Sequence, residues 1–129
     1  MKHFPIEKIK NYFNQKPEIH TALVFGSFSK DRVQKSSDID FAILLHPDKL
    51  PKNHLDYISE LGLSLEDICG RETDVLILNT ASPHIAYRAI KEGKVIYQHS
   101  NRSFWNAFVV RTLNMNEDME ILYRKIQRG

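Results

Sequence analysis

Asp38 and Asp40 stand two residues apart at the head of an apolar run, Phe41-Ala42-Ile43-Leu44-Leu45. On an extended strand side chains alternate, so the two acids share one face and Ile39 takes the other. Carboxylates this close repel each other, and core packing gives no reason to place them together. A divalent cation removes the repulsion. Hard oxygen ligands of this kind suit Mg²⁺, which takes one or two carboxylates together with substrate phosphates. Upstream, Gly26-Ser27 ends another apolar run, Thr21-Ala22-Leu23-Val24-Phe25. The glycine lets backbone approach a phosphate closely, and the serine adds hydroxyl and N–H donors. A third acid, Asp74, opens Val75-Leu76-Ile77-Leu78. Three carboxylates around one or two Mg²⁺ ions, with a small-residue turn opposite, suit nucleotidyl transfer. Metal neutralises charge on the leaving pyrophosphate, and a third carboxylate takes the proton of the attacking hydroxyl.

Something must hold these groups together. The apolar runs read as strands over residues 21–26, 39–45, 73–78 and 94–97. Apolar residues at helical spacing predict helices over residues 4–15, 55–70, 82–93 and 102–127, the last in one piece or two. Pro17 ends the first of these, Gly70 the second and Gly93 the third, while Ser82-Pro83 caps the third at its start. Alternating elements predict an α/β (α+β) fold, a small mixed four-stranded sheet with helices packed on it. Sequential strands are usually neighbours, which brings Asp38, Asp40 and Asp74 to one end of that sheet.

The composition narrows the function classes. A chain of 129 residues with 42% hydrophobic content fits one domain with a real core. A net charge of +2, from 18 basic and 16 acidic residues, is too even to argue for a nucleic-acid partner. Cys69 is the single cysteine; it excludes an internal disulfide and suits a reducing compartment, and its helical neighbours Leu65 and Ile68 make it a buried, inert thiol. There is no secretory signal and no stretch of membrane-spanning length, so a soluble, cytoplasmic protein is expected. The six histidines, His3, His20, His46, His54, His84 and His99, lack the spacing of a zinc site and read as structural or surface residues. No P-loop and no Gly-x-Ser-x-Gly elbow occurs. In the C-terminal segment, Phe104, Trp105, Phe108 and Val109 either cover the sheet or form an exposed aromatic interface, with Met115, Met119, Leu122 and Ile126 following at helical spacing.

Gly-Ser, a spacer of ten residues, Asp-x-Asp before an apolar strand and a later strand-borne Asp resemble the pattern of the DNA polymerase beta-like nucleotidyltransferase superfamily. The short form GSFSKDRVQKSSDIDFAIL looks like its minimal nucleotidyltransferase branch. The downstream LNTASPHIAYRAIKEGKVIYQ is similar to branch members that act as antitoxins beside HEPN-domain toxins. The likeness covers roughly residues 20–98. It implies that Gly26, Ser27, Lys30 and Ser37 are nucleotide-binding residues, that Asp38, Asp40 and Asp74 bind Mg²⁺ and carry the catalysis, and that AMP passes from ATP to a tyrosine of a HEPN RNase. A hetero-oligomer with that toxin is then expected. The chain has no Arg-x4–6-His motif of its own, so it is not the toxin half. It departs from the family at Lys30-Asp31, where Lys-Gly or Arg-Gly is common, and Asp31 brings negative charge near the phosphates. Two alternatives stay open: an inactive antitoxin that neutralises by binding, and a small-molecule nucleotidyltransferase, although those usually carry an added helical domain.

Overall fold

A computed structural model describes residues 4–25 and 38–117. Gly26, Ser27, Lys30, Asp31 and Ser37 lie outside the described residues, as do Met119, Leu122 and Ile126. The elements follow in the order α1 (Ile6–Asn14), β1 (Ile19–Phe25), β2 (Ile39–Leu45), α2 (His54–Cys69), β3 (Thr73–Ile77), a 3-10 turn (Leu78–Thr80), α3 (Pro83–Glu92), β4 (Lys94–Gln98) and α4 (Ser103–Met115).

The strands form one mixed sheet in the order β3-β2-β1-β4. β1 runs antiparallel to both β2 and β4, and β2 runs parallel to β3. The parallel pair requires a crossover, and α2 supplies it. Asn53 starts α2 by accepting a hydrogen bond from the Asp56 N–H at 3.0 Å. Gly70 ends it in the left-handed conformation at φ 69°, which glycine adopts without strain. Ser82 caps α3 by accepting from the Ile85 N–H, and Pro83 holds its first position.

Helices cover both faces of the sheet. On one face Ala22, Val24, Ile39, Phe41, Ile43 and Leu45 pack with Ile9 and Phe13 of α1 and Leu61 and Leu65 of α2. On the other, Leu23, Ala42 and Leu44 pack with Ala86, Ala89 and Ile90 of α3 and Trp105, Phe108, Val109 and Leu113 of α4. β2 is buried on both sides beyond Asp40, which explains its unbroken apolar sequence. Each fully buried Leu, Ile or Phe contributes roughly 1.5–3 kcal/mol. Gly93 lets the end of α3 close against β1: a Cβ there would collide with the Ala89 carbonyl and press on Leu23.

Trp105, Phe108 and Val109 are buried. Of the two readings open for this aromatic group, the covering helix is therefore the one the fold adopts. α4 stops at Met115, and Glu117 is left-handed at φ 57°, so the helix that opens this segment ends there; residues 118–127 lie outside the described residues. β3 ends one residue earlier than its apolar run predicts, because Leu78 enters the 3-10 turn. There Asn79 takes over as a strand would: its amide donates to the Leu45 carbonyl at 2.9 Å and accepts from the Leu45 N–H at 2.8 Å.

Candidate active site

The parallel register sets Asp40 level with Asp74, and the antiparallel register sets Asp40 level with Phe25. The end of β1, from which Gly26-Ser27 continues, therefore lies beside the two acids. Ile39 and Phe41 point into the α1/α2 core, so the alternation sends Asp40 to the opposite face, with Ala42 and Leu44. Thr73 and Val75 likewise face α2, which leaves Asp74 on Asp40's side. α3 and α4 cover that face at the level of Ala42 and Leu44, while Asp40 is half-buried and Asp74 is exposed. Asp38 is exposed, one residue ahead of β2. The Ile39 N–H donates to the Glu72 carbonyl at 3.0 Å and ties the heads of the two strands together.

Burial, in the first place, holds the Asp40 carboxyl above its usual range. The charges of Asp74 and Asp38 and a side-chain hydrogen bond with Asp74 push the same way. Among the described residues no group of three or more His, Cys, Asp or Glu side chains is arranged to hold a metal ion. Asp40 and Asp74 instead form a level pair, with Asp38 as a nearby charge. The donor chemistry fits Mg²⁺ all the same: these are hard oxygens whose mutual repulsion a divalent cation would oppose. Such a pair can hold a cation against phosphate oxygens and accept a proton from a hydroxyl.

Sequence spacing did not reveal a second cluster, at the far end of the same strands. The rings of His20, His46 and His99 lie 5.0, 5.6 and 5.3 Å apart, centroid to centroid. His20 is buried and hydrogen-bonded at both nitrogens. Nε2–H donates to the Asn101 carbonyl at 2.8 Å, and Nδ1 accepts from the Thr21 hydroxyl at 2.6 Å. Gln98 donates to that hydroxyl in turn, at 3.2 Å. This network accommodates the neutral imidazole, one nitrogen donating and the other accepting. Burial lowers the pKa of His20 and of His46, and the neighbouring histidines lower it further. The one sequence signal is that His46 and His99 each directly follow a strand. Cys69 is half-buried rather than buried, and that burial pushes the thiol up to about 11, in keeping with an inert side chain.

The family model for polymerase beta nucleotidyltransferases matches residues 7–102. The protein adenylyltransferase MntA of Shewanella oneidensis is 26% identical over 106 residues, which span 81% of this chain and 70% of that protein. Among solved structures, a toxin–antitoxin crystal structure with AMP-PNP aligns with TM-score 0.71 and 23% identity over 96% of this chain and 95% of that one. A structure of a tri-AMPylated Shewanella oneidensis HEPN toxin in complex with an MNT antitoxin aligns with TM-score 0.68 and 22% identity, over 99% and 97% of the two chains. At these identities the structural likeness establishes the fold. No helix among the described residues is long and apolar enough to cross a membrane.

Proposed function

Because the chain belongs to the polymerase beta nucleotidyltransferase family, we propose that it is an antitoxin that transfers AMP from ATP to a tyrosine of a partner HEPN-domain RNase and so silences it. The observation that carries this reading is the register of β2 with β3. It gathers Asp40 and Asp74 beside the end of β1, within the family match. The names of the similar proteins, an adenylyltransferase and an AMPylated toxin with its antitoxin, supply the acceptor class.

In the transfer the tyrosine oxygen bonds to the α-phosphorus, the bond from that phosphorus to the bridging oxygen breaks, and pyrophosphate leaves with the electron pair. The hydroxyl proton goes to a carboxylate, for which Asp74 is the candidate. Mg²⁺, held by Asp38, Asp40 and Asp74, would neutralise charge on the phosphates. Half-buried Asp40 sets the position of the set, since its strand is fixed on both sides. Gly26, Ser27, Lys30 and Ser37 are proposed to hold the triphosphate. A reducing cytoplasm suits the lone thiol.

The test is incubation of the purified protein with α-labelled ATP, Mg²⁺ and a HEPN-domain partner. Label on a partner tyrosine, with loss of RNase activity, is expected. A stable complex that never takes label would replace this reading with neutralisation by binding alone, which the Asp31 charge in the Gly-Ser loop favours.

A further inference from the structure

Among the described residues β3 is an outer strand of the sheet, with β2 on one side only. Between this strand and one stripe of α2 runs a groove of about 450 Å³, lined by Ser59, Gly62, Leu63 and Glu66 and by Thr73 to Val75. Outer strands are usually guarded against added strands by lysine, proline or a bulge. The other outer strand, β4, carries Lys94, and its register with β1 is irregular. β3, Thr73-Asp74-Val75-Leu76-Ile77, has neither lysine nor proline, and Leu63 beside it is 68% exposed. The charged side chain on the α2 face of the groove, Glu66, is acidic. α2 turns back into β3 through Gly70, so Glu66 lies at the Asp74 end.

We propose that this edge and groove dock the acceptor segment of the protein substrate. The segment lies along β3 as an added extended strand, with a cationic residue facing Glu66 and an apolar one on Leu63. The proposal rests on the transfer reading above and assigns the surface that delivers the acceptor. Main-chain pairing supplies affinity in such additions, and alternate side chains supply specificity. The alternation makes a sharp demand. Asp74 projects to one face of the sheet, whereas Leu63 and Glu66 stand on the other. Side chains of the docked segment alternate likewise, so the residues anchored in the groove lie one or three positions from the tyrosine, never two.

The experiment measures KM for the HEPN-domain partner and for ATP in labelled transfer. Leu63→Arg and Glu66→Lys are expected to raise the partner KM about tenfold, the effect of losing one good contact, with the ATP KM unmoved. Leu55→Arg, on the same helix outside the groove, is expected to change neither. Equal melting curves exclude misfolding, and Ser59→Arg provides a second, fully surface variant. If the parent labels the partner and these groove variants keep its KM, the dock is overturned. If the parent labels nothing, the transfer reading fails and the dock with it.

Discussion

At one end of the β1–β2 ladder Phe25 pairs with Asp40; at the other Ile19 pairs with Leu45, and His20, His46 and His99 gather just beyond. Both ends concentrate groups that repel when charged, and both disfavour the charged form by burial. They resolve the conflict differently. At the histidine end each nitrogen of His20 has a neutral partner, so the uncharged ring loses nothing by being enclosed. At the acid end Asp40 faces two further carboxylates, and its remedy is a shared proton or a cation. A structural cluster is satisfied from within, whereas a chemical one is left needing something from outside.

Removing the need should abolish chemistry while sparing the fold. Asp40→Asn is expected to lower labelled transfer by about 10³-fold, within the range for lost acid–base and charge-organising groups. The doubly neutralised Asp38→Asn, Asp40→Asn protein should melt no earlier than the parent, because repelling charges are gone. A collapsed fold in that variant would make the acid end structural and erase the contrast. The opposite result is expected at the other end. His20→Ala should cost about 2–4 kcal/mol in denaturant unfolding, from the cavity and the stranded Thr21 and Asn101 groups, with transfer per folded molecule unchanged. Asn79→Ala, which frees both Leu45 backbone groups near that end, should cost about 1–3 kcal/mol by the same measurement.

The smallest effect is a pH dependence. His20 and His46 bind a proton less readily folded than unfolded, so the unfolded chain takes up more protons as pH falls below the ordinary 6.5. Their contribution is complete above that pH and is lost progressively below it. The melting temperature should fall through mild acid, and His46→Gln should flatten the slope. An unchanged slope would remove the histidines from the explanation.

These two ends were not equally legible in the sequence. Asp40 and Asp74 could be brought level because strand alternation is local and neighbouring strands tend to pair, whereas Asp38, expected on the same face, stands one residue ahead of β2, where alternation no longer sets its direction. The histidines stand at positions 20, 46 and 99, and only the registers of two ladders make them neighbours: the His46 N–H donates to the Glu18 carbonyl and the His99 N–H to the His20 carbonyl, both at 2.8 Å. No spacing rule encodes that. Asn79 was invisible for a similar reason, since its role as a substitute strand partner depends on β3 ending just before it. The aromatic group of α4 left two readings open, because helical spacing marks an apolar face without saying what covers it.

The register of β2 on β3 also bears on how the chain can vary in length. Only Gly70, Arg71 and Glu72 separate α2 from β3. One residue added or removed there would slide β3 by one step and exchange Asp74 with a neighbour that faces α2. The loop between β2 and α2, residues 46–53, has no such constraint, since the helix after it can absorb the change before any acid is placed. Across related chains, insertions should therefore collect before α2 and be absent after it, so that the helix and its short return measure out the position of the third acid.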